Sequence, residues 1–158
     1  MTEARLTHHD PLAGQVAATV NKLCRSLIQG VAWDDAVRHS GNLADRDRPG
    51  NNGGFAPDVL RAAVFFVGTS ACFAEALERS LTFAGPANYC PVLVGAIGGA
   101  RWGASAIHPS LLIHVDNLPI LKSTADTLAS GWAMSGRRPE SERMVLDGID
   151  PDPDNPPL

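Results

Sequence analysis

The segment from Pro91 to Gly103 constrains the fold of this 158-residue chain more than any other. It reads Pro-Val-Leu-Val-Gly-Ala-Ile-Gly-Gly-Ala-Arg-Trp-Gly, so nearly every residue in it is small or apolar. Gly95, Gly99 and Gly103 are spaced four apart and share one face of a helix. An interior glycine costs about 1 kcal/mol relative to alanine. The glycine face therefore predicts that another helix backbone approaches closely.

The rest of the chain predicts an all-α fold. Asp10 is a good N-cap with Pro11 at the first helical position, and apolar residues then recur at helical spacing up to a stop at Gly30. Shorter helical patterns run from Trp33 to His39, from Pro57 to Gly68, from Thr69 or Ser70 through Leu81, from Pro109 to Val115, and from Pro119 to Trp132. Residues 40–56 have the composition of a loop, and so long a loop in a compact domain is often functional.

Composition narrows the classes of protein and of partner. A hydrophobic content of 44% supplies the core of one domain. The net charge is −4 and the basic residues are scattered, which argues against nucleic acid as a partner. Three cysteines far apart in sequence argue against a disulfide framework and favour a cytoplasmic location. We also expect no secretory signal and no membrane contact, because the longest apolar run is shorter than the ~20 residues of a membrane span.

Three segments together resemble the ADP-ribosylglycohydrolase family, which includes dinitrogenase-reductase-activating and ADP-ribosylarginine hydrolases. Leu6-Thr-His-His-Asp-Pro11 looks like the family's Thr/Ser-His turn before a long helix. Gly41-Asn and Asn51-Asn-Gly-Gly-Phe-Ala-Pro-Asp58 look like the Gly-rich loop of its ADP-ribose pocket. The helix and loop that follow the family's Gly-Asp-x-Asp-Thr turn are similar to the segment Val94-Gly-Ala-Ile-Gly-Gly-Ala-Arg-Trp-Gly-Ala-Ser-Ala-Ile-His-Pro109.

The resemblance covers residues 5–132 and implies an orthogonal helical bundle like the C-terminal half of the family fold. We expect a partial family domain over residues 1–134. A polar, proline-rich tail, which we expect to be disordered, follows over residues 135–158. The N-terminal half of the family, with its Thr-Asp-Asp metal motif, has no counterpart in the sequence.

The resemblance also bears on metal binding. In the family, the two aspartates and the threonine of the Gly-Asp-x-Asp-Thr turn bind a pair of magnesium ions. The matching positions here are Pro86, Asn88 and Tyr89. Proline offers no ligand, asparagine a neutral oxygen and tyrosine a weak one, whereas magnesium prefers carboxylate oxygens. We therefore expect no metal site, no cofactor and no catalytic residue.

The resemblance further implies substrate contacts by five residues: His8, Gly53, Gly54, Phe55 and Asn88. His8 would lie near the distal part of ADP-ribose, and the glycines and Phe55 would contact the ligand through backbone amides and an aromatic ring. The residues themselves leave other interpretations open. His8 can bond the backbone at the start of a helix, Gly53–Phe55 can be an ordinary flexible loop, and Asn88 can be a turn or cap residue.

These observations lead to a functional expectation. We expect an ADP-ribosylglycohydrolase-like protein that is inactive on its own and acts as a partner-binding or assembly subunit, with residual affinity for ADP-ribose or a nucleotide. A bundle without its other half exposes an apolar face, which predicts a homo-oligomer or a complex with another protein. The alternative is one half of a split hydrolase that removes ADP-ribose from modified proteins once another chain completes it.

Overall fold

The computed structural model describes residues 10–41, 50, 53–84 and 89–135, with side chains up to residue 132. Within these ranges the protein is all-helical, as predicted, and contains no strand. The helices are α1 Pro11–Ile28, α2 Trp33–Ser40, α3 Ala56–Thr69, α4 Phe73–Ala84, α5 Cys90–Trp102 and α6 Leu118–Ser135, with 3-10 turns at Ala104–Ala106 and Pro109–Leu111. The chain divides into two compact units, Met1–Leu111 and Leu112–Leu158.

The ends of α1 follow directly from local sequence. The Asp10 carboxylate accepts a hydrogen bond of 2.8 Å from the backbone N–H of Leu12, which confirms the predicted N-cap. At the other end, Gly30 has a φ of 81° and donates its N–H to the Leu27 carbonyl at 3.0 Å. That left-handed conformation suits glycine and ends the helix where the sequence predicts.

Helix α5 occupies the centre of the first unit. It packs against α1, α3 and α4, and its own buried side is formed by Cys90, Val94, Ile97 and Gly98. Cys90, Val94 and Ile97 join Leu60 and other side chains of α1, α2, α3 and α4 in one apolar cluster. Burial raises the pKa of the Cys90 thiol to about 12, so this cysteine behaves as a small apolar residue.

The predicted role of the glycine face is wrong within the described residues. A Cβ added to Gly95 or Gly99 would meet nothing within 4 Å, and Gly103 is the C-cap of α5 with a φ of 80°. The close approach occurs at Gly98 instead, where a Cβ would lie 3.2 Å from the Phe73 ring and 3.2 Å from the Trp102 ring. Helix α5 therefore turns its aliphatic side and Gly98 to the core and leaves Gly95 and Gly99 open.

The second unit contains α6, and its side chains from Pro119 to Trp132 are all exposed. Helix α6 ends at Ser135, and the rest of the predicted tail lies outside the described residues. The limits 1–134 and 135–158 thus stay a prediction. Among the described helices, none combines the length and hydropathy that crossing a bilayer requires. The expected cytoplasmic location also stays a prediction.

The glycines of α3 and α5 give a test of this packing. We expect Gly95→Ala and Gly99→Ala each to raise the free energy of unfolding by up to about 1 kcal/mol, because alanine favours the helix and neither Cβ meets an atom. Gly68→Ala should lower it, because the new Cβ would lie 3.0 Å from Nε1 of Trp33. Urea denaturation measures all three variants, and a stabilised Gly68→Ala would contradict the packing.

Candidate ligand site at the amino ends of two helices

One arginine joins the carboxyl ends of α3 and α5. Nη1 of Arg101 donates to the carbonyl oxygen of Val67, in the last turn of α3. The guanidinium lies between two indoles, 4.7 Å from the ring centroid of Trp33 and 4.8 Å from that of Trp102. Burial lowers the pKa of Arg101, and the Asp34 carboxylate opposes that shift. Because Trp33 begins α2, this cluster fixes the positions of three helices.

A second arginine covers the same end of α3. Nη1 of Arg79 lies 3.0 Å from the Thr69 carbonyl oxygen and 2.7 Å from Oγ of Ser70, and donates to both. Its guanidinium also lies 5.5 Å from the centroid of the Phe66 ring. The last carbonyls of a helix carry partial negative charge, so both arginines stabilise the carboxyl end of α3.

These contacts hold the carboxyl ends of α3 and α5 together. The two helices are in extensive contact, and their carboxyl ends meet at the bond from Arg101 to Val67. The carboxyl ends of α3 and α5 therefore lie next to each other. The first turn of each helix includes a buried residue, Pro57 in α3 and Cys90 in α5. The residues just before these helices form the candidate site.

The amino end of α3 presents an aromatic ring. Gly53 has a φ of 69°, a left-handed conformation that glycine adopts without strain. Phe55 is the N-cap, and its carbonyl accepts from the N–H groups of Asp58 and Val59 at 3.0 Å each. Its ring is 53% exposed. No side-chain hydrogen bond from the described residues caps this end, although Asp58 places a negative charge in the first turn.

The amino end of α5 also follows an exposed aromatic residue, but no acidic residue lies in its first turn. Tyr89 is the N-cap, is 70% exposed, and accepts a hydrogen bond of 3.1 Å from the N–H of Val92 at its carbonyl. No side chain among the described residues caps this end, and the first turn holds no acidic residue. The positive end of the α5 dipole therefore carries no compensating negative charge from its own first turn.

Each of these helix ends has features that suit an aromatic or anionic ligand. Two exposed rings, Phe55 and Tyr89, offer faces for stacking, and the positive ends of two helices attract phosphate. Pro57 and Pro91 each remove one N–H from the first turn, so the helix dipoles and the rings contribute more than direct backbone bonds.

The predicted substrate residues are only partly described. Gly53, Gly54 and Phe55 lie at the amino end of α3, whereas His8 and Asn88 lie outside the described residues. Sequence reasoning treated Tyr89 only as a poor metal ligand and did not notice its place at the start of α5. The aromatic residue just before Cys-Pro was the available signal, since Phe55 stands in the same position before Ala-Pro.

The residues here do not fit a pair of magnesium ions. Of the three positions that the sequence resemblance aligns with the family's metal turn, Pro86 has no side-chain donor atom and Asn88 and Tyr89 have no carboxylate. In the parts of the chain that the structure describes, no group of three or more His, Cys, Asp and Glu side chains could hold a metal ion. The expectation that no cofactor binds stays a prediction.

Comparison with known proteins gives one match. The family model described as ADP-ribosylglycohydrolase matches residues 1–138, which is most of the chain. No curated protein and no solved structure matches. The subfamily, and the assignment to the C-terminal half of the family domain, stay predictions.

The Arg101 cluster that aligns the two helices can be tested by stability. We expect Arg101→Ala to lower the free energy of unfolding by about 2 kcal/mol, because it removes a charged hydrogen bond and two stacked indoles. Arg38→Ala is the matched control, since Arg38 makes an exposed ion pair with Asp35 worth under about 1 kcal/mol. Equal effects in chemical denaturation would show that Arg101 does not organise the site.

Proposed function

Because this chain belongs to the ADP-ribosylglycohydrolase family, we propose that it is a partner-binding or assembly subunit with residual affinity for ADP-ribose. It does not hydrolyse a glycosidic bond by itself. The proposal has two parts, a ligand site at the amino ends of α3 and α5 and a partner surface on α5. Each part rests on different residues and is tested separately.

The open side of α5 carries the proposal for a partner. Val92 is 68% exposed, Ala96 is exposed, and Gly95 and Gly99 would each accept a Cβ without meeting an atom within 4 Å. These four residues define the open α5 face. Glycines inside a helix lower its stability relative to alanine. An exposed apolar face on a helix also favours association with another protein. A partner helix that approaches closely would account for both.

The ligand part rests on Phe55 and Tyr89. ADP-ribose combines an aromatic base with a diphosphate, and the two exposed rings and two helix amino ends match those groups in kind. The lack of carboxylates at positions 86, 88 and 89 supports binding without hydrolysis. In the family, metal ions supply the activated water, and the donors for them are missing from this turn.

Ligand binding should depend on the aromatic rings and not on magnesium. We expect ADP-ribose to raise the melting temperature equally with Mg²⁺ and with EDTA, and Tyr89→Ala to weaken its affinity about tenfold, the equivalent of one lost stacking contact. Leu81→Ala is the matched control, because Leu81 is 57% exposed on α4. Titration calorimetry measures the affinities. Equal affinity of both variants would contradict the proposed site.

The partner surface predicts association that depends on the open α5 face. We expect the wild-type chain to form an oligomer, or to bind a partner protein, and Ala96→Asp to reduce that association at least about tenfold, since a charge must be desolvated. Size-exclusion chromatography with light scattering measures the mass, with Leu81→Asp as control. An Ala96→Asp variant that associates like wild type would contradict this surface.

A second experiment separates the proposed subunit from the split hydrolase. The chain is mixed with a family domain that carries the Thr-Asp-Asp motif, and release of ADP-ribose from a modified protein is followed with Mg²⁺ and with EDTA. The proposed function predicts no release above that of the added domain alone. Magnesium-dependent release that needs both chains would favour the split enzyme.

A further inference from the structure

Trp33 brings together two parts of the chain that are far apart in sequence. Its indole lies against Gly68, where an added Cβ would be 3.0 Å from Nε1 of Trp33. The same indole stacks on the guanidinium of Arg101, 4.7 Å from the ring centroid, and Arg101 donates a hydrogen bond to the Val67 carbonyl. We call these four residues the Trp33 clasp. The chain from Trp33 to Gly68 therefore starts and ends at the clasp.

The segment that the clasp closes contains the amino end of α3. It runs through α2, residues 41–55 and α3, and it includes Gly53 and the N-cap Phe55. The clasp holds the first residue of α2 and the last turn of α3. The entropic cost of ordering a chain rises with the number of residues between its fixed points. How firmly α2 is held therefore decides how much chain must be ordered when a ligand binds at Phe55.

Helix α2 depends on tertiary contacts for its place in the first unit. It has eight residues, which is too few for a stable isolated helix in water, and no side chain caps its first turn. Its buried apolar residue is Ala36, and Val37 packs partly against the core. Trp33 is the largest apolar side chain of α2 and joins the same cluster. Because apolar contact scales with the area removed from water, loss of this ring should release the start of α2.

We propose that Trp33 is a positioning residue for the ligand site at the amino end of α3, an inference that rests on the ligand part of the proposed function. While the clasp is closed, the chain to be ordered before Phe55 begins after α2, at Gly41. When α2 is released, that chain begins after α1, at Gly30. The longer stretch costs more entropy to order, so an open clasp loosens the first turn of α3 and lowers the affinity for ADP-ribose.

Hydrogen exchange in the free, full-length chain tests the action of the clasp without a ligand. The amide N–H groups of Asp58 and Val59 both donate to the Phe55 carbonyl at 3.0 Å, so their exchange rates report on the first turn of α3. Trp33→Leu removes the aromatic ring, whereas Trp33→Phe keeps a ring that can stack on Arg101. The control Val16→Ala removes buried area from α1, outside the closed segment. Urea brings the variants to the same global stability before the rates are compared.

The expected result is a local change in exchange. We expect the Asp58 and Val59 amides to exchange at least about threefold faster in Trp33→Leu than in Val16→Ala, and Trp33→Phe to restore the slower rates. Arg101→Lys serves as a second variant if Trp33→Leu does not fold, since lysine has no planar group to stack on the indole. It should act as Trp33→Leu does.

Titration calorimetry with ADP-ribose tests the link to ligand binding. We expect Trp33→Leu to bind about twofold more weakly than Val16→Ala, the effect of lengthening the stretch to be ordered from residues 41–55 to residues 30–55. Trp33→Phe should bind as Val16→Ala does. Association through the open α5 face should be equal in all three variants, because none of the changes lies on that face.

The outcomes separate this inference from the proposed function. Equal exchange of the Asp58 and Val59 amides in Trp33→Leu and Val16→Ala overturns the inference, whether or not ADP-ribose binds. Faster exchange with unchanged affinity overturns it as well, because the clasp then does not act on the ligand site. A wild-type chain that binds no ADP-ribose contradicts the ligand part of the proposed function, and faster exchange in that case still supports Trp33 as the residue that orders the amino end of α3.

Discussion

The hydrogen bond from Arg101 to Val67 and the stacking of Arg101 on Trp33 and Trp102 hold α2, α3 and α5 together. A single guanidinium contacts the last turn of α3, the first residue of α2 and its own neighbour on α5. An arginine can do this because its planar group stacks on indoles and donates in its own plane at the same time. Without Arg101, the Trp33 indole that lies against Gly68 would lose its stacking partner, and α3 would lose a hydrogen bond from α5.

The carboxyl end of α3 is capped by side chains, whereas the amino ends of α3 and α5 are not capped by side chains of the described residues. At the carboxyl end, Arg79 and Arg101 satisfy carbonyls of α3, and aromatic rings cover both guanidinium groups. At the amino end, Phe55 and Tyr89 leave the helices without side-chain caps from the described residues. Stability is concentrated away from the proposed ligand site. That arrangement leaves the amino end free to vary in chemistry, and positions 86, 88 and 89 carry no carboxylate.

Local signals in the sequence predicted the helices well and the contacts poorly. Asp10 and Pro11 act within their own helix, so the start of α1 could be predicted from two residues. The glycine pattern of α5 was interpreted from spacing alone, but spacing does not say which side of a helix faces the core. Gly98, which does make the close approach, lies outside the repeat of four. The partners of Arg101 lie at 33, 67 and 102, and only tertiary packing brings them together.

The uneven capping of α3 and α5 has a consequence for motion. Local opening of a helix begins where the fewest interactions hold it. The arginine-bound carboxyl ends should exchange their amide hydrogens slowly, while the first turns after Phe55 and Tyr89 should open most often. A ligand at those turns would have to order them, and part of its binding free energy would be spent on that ordering. Its signature would be slowed exchange confined to the amino ends, with little change in the average structure.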